Sequence, residues 1–171
     1  METWDAVRSR RNVRRYAERS ILPDDLDRVL DAGRRSPSAR NWQPWDFVVV
    51  TERDQLAELA KVWQGAQHVA TSAATVAVVA RTPHDDRERD LVQYDLGQAT
   101  MAMMITAADL GIGSGHAAVS DQDLARSLLG FPADRFCAYL LALGYPADRP
   151  LTPVTHPDRR PFDDVVHRGH W

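Results

Sequence analysis

The chain has 171 residues, of which 44% are hydrophobic and 26% charged. That is the profile of one soluble globular domain long enough to bury a core. A net charge of −3 argues against a nucleic-acid or anionic-membrane partner. The single cysteine excludes an internal disulfide and a cysteine-based metal cluster.

Residues 3–11 predict a helix, with Trp4, Val7, Arg8 and Arg11 at three- and four-residue spacings. The early arginines, Glu2 and Asp5 leave no apolar stretch of signal-peptide type, so cytoplasmic residence is the expectation. The run Arg10-Arg11-Asn12-Val13-Arg14-Arg15-Tyr16 then sets four arginines in six positions. Such a cluster is either a solvated basic face or a phosphate grip, since the guanidinium fork suits bidentate contact. Residues 20–32 predict a helix with Pro23 in its first turn, Asp24 and Asp25 at the positive end of its dipole, and Gly33 as its stop.

Residues 36–45, Ser-Pro-Ser-Ala-Arg-Asn-Trp-Gln-Pro-Trp, form a loop stiffened by Pro37 and Pro44. Two hydroxyls, two amides and two indoles make it either a binding loop or a rigid surface connection. Residues 46–50 read as a buried strand, 52–63 as an amphipathic helix, and 75–80 as a central strand. A charged loop over 81–90 leads to a long helix over 91–110. Its middle, 99–105, is apolar on nearly every face, while Asp95, Gln98 and Asp109 exclude a membrane span. It reads as a central helix, buried in the core or against a second subunit.

The glycines of residues 111–116 follow a helix, the reverse of a dinucleotide fingerprint, and read as a turn that lets backbone approach a ring. Ser120 is the expected cap of a helix ending at Leu129, and 136–143 is a third strand. Cys137 lies in that apolar run and reads as a buried thiol. The tail 152–171 carries His167 and His170 without acidic or cysteine companions, so no metal site is expected. With no repeats and no linker, residues 1–171 read as one domain of α+β class, a mostly antiparallel central sheet flanked by helices. The alternation of elements alone also admits an α/β fold.

The loop Pro37-Ser38-x-x-Asn41-x-Gln43-Pro44-Trp45 followed by a strand resembles the flavin-site loop of the FMN-dependent nitroreductase family. Three further segments resemble that family in order: the arginine run, the turn Leu110-Gly111-Ile112-Gly113-Ser114, and the ending Arg159-Arg160-Pro161-Phe162-Asp163-Asp164-Val165-Val166. The resemblance implies that Arg10, Arg11, Asn12 and Arg14 grip FMN, with Asn12 where the family has serine. It assigns Pro37, Ser38, Ala39, Asn41 and Gln43 to the loop's share of the site, with Asn41 on the ring edge. Backbone amides of His116, Ala117 and Ala118 would face flavin N5 and O4, and Arg159 and Arg160 would complete the site. It also implies a homodimer with exchanged C-terminal tails, reduction by NAD(P)H, and a small-molecule acceptor such as a nitroaromatic, quinone or enone.

No serine–histidine–aspartate order or paired-carboxylate motif stands out in the sequence, so no catalytic side chain is expected and the flavin carries the chemistry. Arg14 and Arg159 are the candidates near N1 and O2, where a cation stabilises reduced flavin. Many members of the family run longer, with a helical excursion over the substrate face between the second strand and the long helix. The short charged loop here leaves open a non-catalytic FMN-sequestering protein or a related flavin-consuming enzyme.

Overall fold

The structure, a computed structural model, covers residues 1–171. Its frame is a four-stranded antiparallel sheet in the order β1-β2-β4-β3. The strands are β1 (Trp45–Val50), β2 (Ala74–Arg81), β3 (Gly113–Ala118) and β4 (Arg135–Gly144). β2 and β4 lie at the centre, and Val76, Ala77, Val78, Leu140 and Leu141 are fully buried between helices on both faces. One face is covered by α2 (Pro23–Arg34) and α4 (Asp86–Asp109), through Val29, Leu96, Met103 and Met104. α1 (Thr3–Ser9) packs against α4. The other face is covered by α3 (Arg53–Leu59) and α5 (Gln122–Leu129), through Leu56, Leu59 and Ala125. Each fully buried aliphatic side chain contributes about 1.5–3 kcal/mol, so these two layers dominate the stability of the fold.

The α+β class and the antiparallel sheet are as the sequence predicts, and several local expectations are corrected. β1 is an edge strand rather than a buried one, with Val49 exposed and Phe47 and Val48 half-buried. Gly33 lies inside α2, where a Cβ would come within 2.8 Å of Met103 Cγ, so its role is close packing and not a stop. α3 ends at Leu59, and a 3-10 turn continues it over Ala60–Val62. The charged stretch 86–90 is helix, because the Asp85 carboxylate caps α4 by accepting from Glu88 N at 2.7 Å. Asp121, accepting from Leu124 N at 2.9 Å, caps α5, while Ser120 Oγ donates to Val62 O. Of the glycine run, only Gly111 (φ 74°) makes the turn, and Gly113 onward is strand. No helix is long and apolar enough to cross a membrane.

Candidate functional site

Beyond α1 the chain becomes extended and lies along the open edge of β3. Asn12 forms a parallel bridge with Ser114, and Val13 N donates to Ser114 O at 2.8 Å. Tyr16 crosses the end of β4, its hydroxyl donating to Val13 O (2.8 Å) and Ala142 O (3.2 Å). The glycines exist for this contact. A Cβ at Gly113 would come within 2.6 Å of the Val13 side chain, one at Gly115 would strike Val13 O, and one at Gly144 would meet the Tyr16 ring at 2.7 Å. The sequence reading gave the glycines to an approaching ring; the structure gives them to the arginine segment.

Within that segment the cations divide. Arg11 pairs with Asp148 at 2.7 Å and donates to Arg149 O at 2.9 Å. Its guanidinium holds the Asp148 carboxyl down to about 2. Arg11 is thus a strut to the segment after β4 in this structure. Arg10 and Arg14 have no carboxylate partner, and both act on His116. That imidazole is half-buried, edge-on to Tyr139 with centroids 6.3 Å apart. Burial first, then the charges of Arg10 and Arg14, hold its pKa below the usual histidine value. His68, missed in the sequence, lies under β3 with Nε2 3.4 Å from Gly115 O. Burial lowers its pKa too, opposed by the Gly115 contact and assisted by Arg14. Two imidazoles kept neutral beside two unpaired guanidiniums leave a net positive field, which suits an anion.

The same edge offers amides. Ser114 O faces the arginine segment, so by antiparallel alternation His116 and Ala118 also turn their backbone groups outward, while Ala117 turns to β4. His116 N–H and Ala118 N–H are therefore available to a ligand, whereas Ala117 N–H is engaged in the ladder.

The 36–45 loop sits at the opposite edge of the sheet, leading into β1. Three strand spacings, roughly 14 Å, separate that edge from β3. Arg40, Asn41 and Gln43 all adopt positive φ, near 53–57°. Two contacts hold this shape: Ser38 Oγ accepts from Gln43 N at 2.8 Å, and the buried Asp95 carboxylate of α4 accepts from Ala39 N at 3.0 Å. Gln43 Nε2 folds back to Asn41 O (3.1 Å), leaving the Asn41 side chain exposed and free. Ser38 and Gln43 thus serve the loop itself, and Pro37 is exposed beside them. Trp45 is buried and Trp42 exposed, so one indole packs and one faces out.

Arg159 and Arg160 lie on an exposed tail, turned to the carbonyls of Asp158 and Asp164. Neither reaches the arginine segment within this chain. Cys137 is buried, and burial pushes its thiol up to about 12, so it is inert at neutral pH. No group of three or more His, Cys, Asp or Glu side chains converges to hold a metal ion.

Residues 7–67 and 52–145 match the nitroreductase family. The chain is 31% identical over 174 residues to a candidate NADH dehydrogenase/NAD(P)H nitroreductase of Archaeoglobus fulgidus, covering 99% of each protein. A like-named protein of Methanothermobacter thermautotrophicus is 29% identical over 176 residues, covering 100% of this chain and 88% of the other. Among solved structures, an FMN-dependent nitroreductase of Clostridium difficile superposes with a TM-score of 0.83 at 20% identity, over 97% of this chain and 98% of that one. The NADPH:FMN oxidoreductase of Vibrio harveyi, complexed with NAD+, superposes with a TM-score of 0.82 at 20% identity, over 97% of this chain but 76% of that one. The chain spans 99% of the Archaeoglobus relative's length and 76% of the Vibrio chain's. The chain belongs to the nitroreductase family of oxidoreductases.

Proposed function

We propose that the protein is an FMN-dependent oxidoreductase that uses NAD(P)H to reduce a nitroaromatic, quinone or enone. The observation that carries this reading is the pair Arg10 and Arg14, unpaired beside the open amide edge of β3. FMN, when bound, would supply the redox chemistry between NAD(P)H and the acceptor. The chain's own residues hold and polarise it. Arg10 and Arg14 would take the phosphate and the charge of the reduced ring, while His116 N–H and Ala118 N–H would donate toward N5 and O4. The neutral imidazole of His116 keeps a third positive charge out of that edge. Asn41, free at the tip of its loop, would contact the ring edge.

The loop and the β3 edge lie on opposite sides of one sheet, so the reading needs two copies of the chain, with Asn41 of one protomer meeting the flavin held by its partner. Tyr94, Gly97 and Met101, on one exposed side of α4, and Phe162, Val165 and Trp171 of the exposed tail supply apolar surface for a homodimer. Arg159 would reach the flavin only across that boundary.

Flavin titration of the Arg10→Ala/Arg14→Ala protein tests the grip. Each charge-assisted contact contributes about 1.5–3 kcal/mol, so the double change should weaken FMN binding at least tenfold. Unchanged affinity would remove the assignment. Steady-state NADH and NADPH oxidation with a nitroaromatic then tests turnover, and a flavin-loaded protein that oxidises neither would be a flavin store.

A further inference from the structure

The outer side of the 36–45 loop and the first turns of α4 enclose a hollow of about 640 Å³, lined by Ala39, Arg40, Trp42, Arg87 and Leu91. That is the size range of small-ligand sites. Its apolar surface is the indole of Trp42 and the side chain of Leu91, both partly exposed. Its charge is two arginines.

Those two cations are free in a neighbourhood crowded with acids. Asp86 and Asp90 are taken by Arg89, at 2.7 and 2.9 Å. Glu88 accepts from His84 N at 2.9 Å, and Asp85 accepts from Glu88 N at 2.7 Å. Arg87, four residues before Leu91, stands on the same helical side as that leucine, and neither it nor Arg40 has a carboxylate partner. Arg40 is fixed at φ 53° in a loop held by Asp95 and Ser38, so its Cα position is set before any ligand arrives.

Two guanidiniums without a carboxylate partner suit a dianion better than a single carboxylate, and an exposed indole suits a flat heterocycle. A phosphate monoester close to a purine has both features. Resting on the NAD(P)H-oxidoreductase reading above, we propose that this hollow binds the adenosine 2′-phosphate end of NADPH and makes the protein selective for NADPH over NADH. Asn41 lies between Arg40 and Trp42 in sequence, so the hollow adjoins the loop residue assigned to the flavin edge.

Calorimetry on the FMN-loaded protein with adenosine 2′,5′-bisphosphate and, separately, adenosine 5′-monophosphate tests the proposal. The bisphosphate should bind at least tenfold more tightly at low salt, and the gap should shrink in 1 M salt, where screening acts over about 3 Å. In Arg40→Ala/Arg87→Ala the gap should close, as should the ratio of KM for NADH to KM for NADPH. Both arginines are exposed, and the flavin spectrum of the variant reports that the fold is retained. Equal binding of the two probes, no binding of either, or a gap that survives in the double variant would overturn the proposal. Failure of both NADPH and NADH to bleach the flavin would instead sink the oxidoreductase reading, while the calorimetry would still decide what the hollow holds.

Discussion

At Gly115 a methyl group would run into the carbonyl of Val13, with Tyr16 Oη at 3.1 Å and the His68 ring at 3.2 Å next in line. Backbone cannot move aside as a side-chain tip can, so Gly115→Ala should destabilise the protein by about 1–3 kcal/mol. It should also displace Arg10 to Arg14 and loosen FMN. Urea unfolding and flavin titration read the two effects, and a wild-type midpoint would show that the arginine segment yields freely. The sequence marks where a side chain is missing and not what occupies the space, which is why a ring was expected there. Likewise, counting four arginines cannot tell Arg11 from Arg10 and Arg14, because the discriminating partner, Asp148, is 137 residues away. The two histidines make a pH prediction. Burial lowers both pKa values in the folded state, so the unfolded chain binds protons more readily. Their effect is absent well above the unfolded value of about 6.5, and stability falls as pH drops below it. The urea midpoint should be lower at pH 5.5 than at pH 7.5, and His116→Gln should reduce the difference. Equal drops in both proteins would mean that His116 is not among the groups responsible.

Elements that carry their own local signal were legible in advance: β2 and β4 as apolar runs, α2 by Pro23 and the acidic first turn. Those set by caps or by distant contacts were not. Residues 86–90 carry five charges and no apolar period, yet Asp85 and Glu88 supply the cap spacing that starts α4. β1 has the composition of a central strand and lies at the edge, because strand order is decided by how β4 returns to pair with β2. The 36–45 loop shows the same division. Its residues were recognisable, but not the carboxylate that holds them, since Asp95 read only as a polar interruption of a helix. Asp95 also accepts from Gln98 Nε2 at 3.2 Å. Three non-glycine residues at positive φ cost roughly 1–2 kcal/mol each, so the loop needs its tethers. Asp95→Ala leaves Ala39 N–H unpaired, at a cost of about 1–3 kcal/mol. Hydrogen exchange should accelerate across residues 38–43 while β2 and β4 stay protected. Unaltered exchange in the loop would assign its shape to Ser38 and the prolines alone.

The whole molecule leaves its C-terminal part without a place in its own core. From residue 152 onward every side chain is exposed, including Phe162, Val165 and Trp171, and Leu151 is the last to be buried. One backbone hydrogen bond, Val154 N to Arg8 O at 3.1 Å, ties this segment to the body just before the arginine run. Removing residues 159–171 therefore deletes almost no intramolecular burial and should leave the urea midpoint of the isolated protomer near its starting value. If the segment instead packs on a partner, its loss acts at a different level. Stable dimers commonly bury more than about 1,200 Å², and exposed apolar groups such as Phe162 and Trp171 are the kind that anchor such surfaces. Truncation before Arg159 should then convert a flavin-loaded dimer into a folded monomer that has lost FMN, because Arg159 and the apolar groups leave together. Sedimentation followed at the flavin absorbance reads both quantities in one experiment. A truncated chain that still sediments as a yellow dimer would place the flavin and the interface entirely within residues 1–158 and release the tail from both roles.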